Sequence, residues 1–400
     1  DRYDSVGPTV LIPVAAGIAV SENPIAGGRR VMAACYLFLT VATYLLVRRN
    51  FGELPAFASV SILLAAPGSL YLSRTLYGEV PALSFLLLGT LVWQTALERR
   101  STVLPLLLSG VLFGCALLTK TFLVIALWPA LGMWLHDRMG MRRIKVKHAV
   151  VPAVMGVGIL SAWGLTAAVF GDVAQGASGS SLATYQHNLL FGLTSIDATF
   201  GWLAGEPLAT VLFLGIGIVG MTALLSLSSH SPALLFLALF AGLNWYWWCF
   251  FTTASHPRYL WYSLALGAIF LGALLAHSLR VRFSEKRTLG MVCMIVGALL
   301  TLAVAPRLGQ ILNNDENAGD VALVQFITTN YPRGAIATTQ YQVGRILNLL
   351  AEVPVRRVRT PDETAGCDVV ILGPGDDYSA WHTFAERASF DHYKLMEPQE

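Results

Sequence analysis

The 400-residue chain is 55% hydrophobic and 13% charged, against about 25% charged in an average soluble domain, and its mean hydropathy is +0.60. That balance excludes an ordinary soluble enzyme and points to a protein of the bilayer. The formal net charge of +3 is too small to draw nucleic acid, so no nucleic-acid partner is expected, and the placement of the cations carries the information. The cysteines, Cys35, Cys115, Cys249, Cys293 and Cys367, form no C-x-x-C pair and read as packing residues.

In chain order, the sequence opens on Asp1-Arg2-Tyr3-Asp4 with neither a methionine nor a basic leader, and a first span is expected to precede it. Residues 7–20 are apolar but short for a span, which favours a re-entrant or interfacial helix. A spanning helix needs ~20 apolar residues, and by that yardstick about ten runs qualify. They lie near 31–47, 57–73, 80–97, 103–119, 121–135, 149–170, 207–227, 232–252, 259–279 and 288–306. Basic loops at Arg48-Arg49, Arg99-Arg100, Arg138 to Lys147 and Arg280 to Arg287 read as cytoplasmic. Alternate loops then face outward: 1–30, 74–79, the turn at Thr119-Lys120, 171–203 and 253–258.

From Asn313 the composition becomes that of a small soluble domain. Helices are expected at Val321 to Thr329, Gln342 to Leu350 and Tyr378 to Ala388. Strands are expected from Gly334, at Val353 to Val358, at Asp368 to Leu372 and at His392 to Met396. The fold class is therefore a polytopic α-helical membrane domain over 1–312 and a small extracytoplasmic α/β domain over 313–400. No G-x-G-x-x-G turn marks a nucleotide site.

Topology explains inward cations but not outward ones, and here almost every outward loop carries one: Arg2, Arg29, Arg30, Arg74, Lys120 and Arg258. Each alone can snorkel to lipid headgroups. Together they would cradle a phosphate or pyrophosphate, with arginine offering a bidentate fork. Glu79 opens a membrane helix, where it serves either as a helix-terminus carboxylate or as a metal or substrate contact. Asp1 and Asp4 sit where a carboxylate could deprotonate an acceptor, or are simply solvated. His256-Pro257-Arg258-Tyr259 follows the aromatic run Asn244 to Trp248, which reads as an interface belt or as stacking walls for a sugar. His187 and His382 have no partners at ligand spacing.

These segments, in this order and on one side, resemble the GT-C fold glycosyltransferases. The likeness is to the dolichyl-phosphate-mannose or undecaprenyl-phosphate-sugar dependent group, which includes protein mannosyltransferases and aminoarabinose transferase. Tyr3 to Thr9 resembles the end of that family's first outward loop, and Gly27 to Arg30 the basic opening of the next span. Arg74 to Glu79 resembles the second outward loop, Leu118-Thr119-Lys120 the Thr-Lys turn, and His256 to Tyr259 the late Arg-Tyr motif.

The resemblance implies inverting sugar transfer from a polyprenyl-phosphate donor to a glycan, lipid or protein acceptor at the extracytoplasmic face of the plasma membrane. It makes Asp4 and Glu79 the catalytic carboxylates, and Arg30, Arg74, Lys120 and Arg258 the lipid-phosphate ligands. Tyr77, His256 and Tyr259 become substrate contacts. Family members differ in metal dependence, which leaves a divalent cation open. The rival readings are a secondary transporter, disfavoured because the spans are nearly free of charge, and a non-catalytic polysaccharide assembly protein.

Overall fold

The computed structural model describes residues 7–21, 24–65, 78–98, 103–120, 145–170, 231–251, 260–282, 318–332, 334–339, 355–358, 360–373, 376–390 and 393–398, with isolated positions such as Ser69 and Leu123 between them. The chain divides into two compact units, 1–308 and 309–400.

The first unit is helical. Its helices are α1 (Pro8–Ala19), α2 (Pro24–Phe51), α3 (Glu53–Ala65), α4 (Glu79–Glu98), α5 (Val103–Thr119), α6 (Val146–Phe170), α7 (Pro232–Phe251) and α8 (Trp261–Arg282). They fall on the apolar runs at 31–47, 80–97, 103–119, 149–170, 232–252 and 259–279, and α3 covers part of the run at 57–73. The runs at 207–227 and 288–306, the loop 171–203 and most of 121–135 lie outside the described residues. Within α2, α4 and α6, the stretches Ala26–Phe51, Glu79–Glu98 and Val146–Thr166 are long and apolar enough to cross a bilayer. Residues 7–20 do form a helix, α1, with Pro8 in its first turn, where the missing N–H costs nothing.

Lone hydroxyls are carried in these apolar helices by back-bonding to the preceding turn, as in Ser84 to Val80 O (2.9 Å) and Thr90 to Leu86 O (2.7 Å). Other polar side chains join neighbouring helices. Tyr36 on α2 donates to Leu63 O on α3 (3.2 Å), and Ser59 on α3 donates to Ile269 O on α8 (2.5 Å). Asn244 on α7 donates to Ser263 on α8 (2.8 Å), which donates back to Ala241 O (2.8 Å).

Backbones approach closely where side chains are small. A Cβ on Gly110 of α5 would stand 2.5 Å from the Met155 Cβ of α6, and one on Gly114 would stand 2.7 Å from Ile159 Cδ1. A Cβ on Gly272 of α8 would fall 2.7 Å from the Ser59 backbone. Trp261, Tyr262, Phe240 and Phe270 are fully buried between the helices.

One end of the unit gathers the termini of α2 and α4. Arg49 reaches Thr95 (2.5 Å) and Glu98 (2.6 Å), and the amides of Asn50 and Gln94 pair reciprocally at 3.2 and 3.0 Å. Shared C-terminal ends mean that α2 and α4 run the same way, while Gly52 (φ 95) reverses the chain into α3.

The second unit holds α9 (Ala318–Asn330) and a five-stranded sheet of β1 (Ile336–Thr338), β2 (Val355–Arg357), β3 (Val369–Leu372), β4 (Phe384–Phe390) and β5 (Tyr393–Pro398). The strand order is β2-β1-β3-β5-β4; β1 pairs in parallel with β2 and β3, and β5 runs antiparallel to β3 and β4. Period-two alternation sorts the core. Ile336, Val369 and Ile371 pack with Leu323 and Ile327 of α9, whereas Ala337, Val370 and Leu372 pack with Trp381. The sheet strands near 334, 353, 368 and 392 lie where the sequence places them.

The helix expected at Tyr378 to Ala388 is not formed. A single 3₁₀ turn, Tyr378–Trp381, gives way to β4, whose backbone is claimed by the ladder with β5 across a bulge between Glu386 and Ala388. Apart from Leu347, the helix expected at Gln342 to Leu350 lies outside the described residues.

Two outcomes test this packing. Gly272→Val should destabilise the helical unit by about 1–3 kcal/mol through overpacking against α3, while Gly158→Ala, with open space around it, should leave the detergent-phase melting temperature unchanged. In the sheet unit, burial and the hydrogen bond to the nearby Glu397 carboxylate push the Tyr331 phenol up to about 12. The neutral phenol is therefore favoured in the folded state, so its contribution is complete below the unfolded value near 10 and is lost as pH rises through 12. Absorbance titration should show a late phenolate that Tyr331→Phe removes.

Candidate functional site

At the end of the helical unit opposite Arg49, the first residue of α4 meets the residue after α5. Lys120 Nζ lies 3.1 Å from Glu79 Oε1, with the two side chains 3% and 0% exposed. Local chain geometry prepares both. Gly78, at φ 83, turns the chain into α4, so that Glu79 sits in its first turn, and Ala82 N–H closes on Gly78 O at 3.0 Å. Lys120 N–H bonds Ala116 O (3.0 Å), completing α5, and Lys120 O accepts from Leu123 N–H (3.0 Å).

Antiparallel α4 and α5 thus place a carboxylate at a helix N-terminus beside an ammonium at a helix C-terminus. Each charge also meets the favourable end of its own helix dipole. Burying both costs several kcal/mol of solvation per ion, which close pairing offsets, and removal of one partner leaves the other charge stranded.

The start of α1 is fastened to the same corner. Gly7 N–H donates to Thr119 O at 3.2 Å, and the hydroxyls of Thr9 and Thr119 are 2.6 Å apart. Thr119 also back-bonds to Cys115 O (2.7 Å). A Cβ at Gly7 would sit 1.4 Å from Leu118 O, so only glycine permits this approach. The Gly7-Pro8-Thr9 and Leu118-Thr119-Lys120 segments, read separately in the sequence, are one contact in three dimensions.

Of the residues singled out from the sequence, Glu79 and Lys120 are brought together, although they had been given different roles. Arg30 is exposed on α2 and forms no ion pair with a described residue. Asp4, Arg74, Tyr77, His256, Arg258 and Tyr259 lie outside the described residues. From the aromatic run, Asn244 serves as a helix–helix hydrogen-bonding residue and Tyr246 is 53% exposed. Gly7 and Thr119 were legible only as pieces of short motifs, because their role depends on a contact 110 residues apart in the chain. Among the described residues, no group of three His, Cys, Asp or Glu side chains is placed to hold a metal ion.

Residues 6–165, the stretch that holds this corner, match the family described as dolichyl-phosphate-mannose-protein mannosyltransferase. No curated protein sequence matches the chain. Among solved structures, apo ArnT from Cupriavidus metallidurans superposes with a TM-score of 0.68 at 14% identity, covering 98% of this chain and 88% of that one. The same protein bound to undecaprenyl phosphate gives 0.61 at 14% identity, over 98% and 88%. An oligosaccharyltransferase from Archaeoglobus fulgidus, in complex with zinc and sulfate, gives 0.53 at 12% identity, over 92% of this chain and 59% of that one. The helical fold with a small C-terminal sheet is therefore shared with ArnT across nearly its whole length, and the resemblance read from the sequence is met again in fold and in family match.

A double-mutant cycle tests the buried pair. Lys120→Met alone should cost about 3–5 kcal/mol, and Glu79→Gln combined with Lys120→Met should regain most of it. Additive losses in detergent-phase unfolding would show that the two charges do not depend on each other.

Proposed function

We propose that the chain is a membrane glycosyltransferase that moves a sugar from a polyprenyl-phosphate donor to an extracytoplasmic acceptor. The observation that carries this reading is the buried Glu79–Lys120 pair, fastened to Gly7 and Thr119 inside the segment that matches the mannosyltransferase family. The ArnT structure holding undecaprenyl phosphate supports the donor class.

In this reading the helical unit crosses the plasma membrane several times. The end carrying Arg48 and Arg49 faces the cytoplasm, following the positive-inside rule. The Glu79–Lys120 corner and the C-terminal α/β unit, spanning about 313–400, then face outward.

The reaction is an inverting displacement. An acceptor oxygen or nitrogen attacks the anomeric carbon from the face opposite the donor phosphate. The bond from that carbon to the phosphate oxygen breaks, and the lipid phosphate leaves with the electron pair. Asp4 or Glu79 takes the acceptor proton.

Lys120, with Arg30, Arg74 and Arg258, stabilises the charge growing on the leaving phosphate. Its pairing with Glu79 keeps that carboxylate ionised and oriented. Tyr77, His256 and Tyr259 line the sugar, and a divalent cation remains an optional aid to phosphate binding. Gly7 follows Asp4 by three positions, so fastening Gly7 to Thr119 tethers the candidate base to the loop that carries Lys120.

A transfer assay in nanodiscs with radiolabelled polyprenyl-phosphate sugars tests this. Wild type should release lipid phosphate, and Lys120→Met and Arg258→Ala should each lower turnover by about 100-fold or more. Wild-type turnover in both variants would defeat the phosphate-cradle reading. Absence of donor binding in a folded sample would favour the transporter or assembly alternatives.

A further inference from the structure

Within the helical unit, residues of α4, α5, α6 and α7, together with Leu123, Ala126 and Ala130, line an apolar groove. Its walls include Trp93, Phe113, Ala149, Pro152 and Ala153, and His148 lines it at the start of α6. From His148 to Gly156, which also lines it, the groove follows α6 for about 12 Å at 1.5 Å per residue.

His148 is the anomaly. It is 5% exposed, and neither imidazole nitrogen has a hydrogen-bond partner among the described residues. Its backbone is held in place by Trp93 Nε1, which donates to His148 O at 2.8 Å, and by its own N–H to Lys145 O at 2.8 Å. A buried imidazole in this state gains from an acceptor brought in by a ligand, because at least one ring nitrogen carries a proton that has left water. Lys145 and Lys147, both exposed, flank it at the helix N-terminus, where the dipole adds further positive potential. The groove is thus apolar along its length, and the two exposed lysines beside His148 put positive charge near that end of it.

We infer that this groove is a binding site for an anionic diacyl phospholipid of the surrounding membrane. One acyl chain lies along α6, an ester carbonyl accepts from His148, and the phosphate sits over Lys145, Lys147 and the α6 N-terminus. The isoprenoid tail of a lipid whose phosphate is held at Lys120 would satisfy the apolar walls but leave His148 without an acceptor and the lysines without a counter-charge. The inference rests on the membrane placement of the helical unit and is independent of the sugar-transfer chemistry.

Native mass spectrometry of the full chain, stripped of lipid and then offered phosphatidylglycerol, phosphatidylcholine or undecaprenyl phosphate, tests it. Wild type should retain phosphatidylglycerol about 10-fold more strongly than phosphatidylcholine. His148→Leu and the groove-filling Ala149→Leu should lose that retention, while His148→Gln, which keeps a donor, should preserve it. Lys145→Gln with Lys147→Gln should erase the preference between headgroups. All these variants should still bind undecaprenyl phosphate, whereas Lys120→Met should bind phosphatidylglycerol normally.

Equal retention of the two phospholipids by wild type would overturn the inference without recourse to any variant. So would normal phosphatidylglycerol binding in Ala149→Leu, or in Ala153→Leu should the former not fold. Loss of undecaprenyl phosphate alone from the filled groove would assign it to the isoprenoid instead. Because donor turnover is read in a separate assay, failure here leaves the transfer reading standing.

Discussion

A carboxylate and an ammonium cannot be withdrawn from water separately, and the Glu79–Lys120 pair makes the packing of the helical unit conditional on their meeting. That condition requires α4 to begin where α5 ends, which demands antiparallel helices in register. It also requires the turn before α4 to be a glycine in the left-handed region, as Gly78 is. The charges then lie at the helix ends that favour them, so dipole and ion pair reinforce each other. Gly7 and Thr9 extend the arrangement to α1, with the consequence that three segments far apart in sequence converge on one buried corner.

Between the two ends, the helices are joined without further ion pairs among the described residues. Close backbone approach at Gly110, Gly114 and Gly272 takes their place, with hydroxyls and amides donating across helix interfaces. Such contacts suit a chain whose surroundings are as apolar as its own side chains, where dispersion and interhelical hydrogen bonds replace the hydrophobic drive. The outer faces of α5 and α6 expose Leu104, Leu108, Val154 and Leu165. A bilayer accepts that pattern, and water would penalise it.

The sheet unit shows how far a local pattern reaches. Buried strands such as Val369–Leu372, apolar on both faces, declare themselves as short continuous runs. In Tyr378 to Ala388 the apolar residues at 378, 381, 384, 385 and 388 have helical spacing, yet β4 forms there. As an edge strand with Glu386 and Arg387 on it, β4 has weak local identity. Its backbone groups pair with β5, and that non-local ladder outweighs a helix that would have had little apolar surface to cover.

The sequence by itself determined the membrane character, the positions of the described apolar helices, the change of composition near residue 313 and the candidacy of Glu79 and Lys120, because apolar run length, composition and charge are local properties of the chain. Only the tertiary structure decided that Glu79 and Lys120 are partners, that Gly7 must be glycine because a carbonyl of Leu118 occupies the place of its Cβ, and that His148 is buried without a hydrogen-bond partner among the described residues. Those facts depend on which helices touch and in what register. That information is spread over contacts more than a hundred residues apart, as between Thr9 and Thr119, and it leaves no trace in any short stretch of sequence.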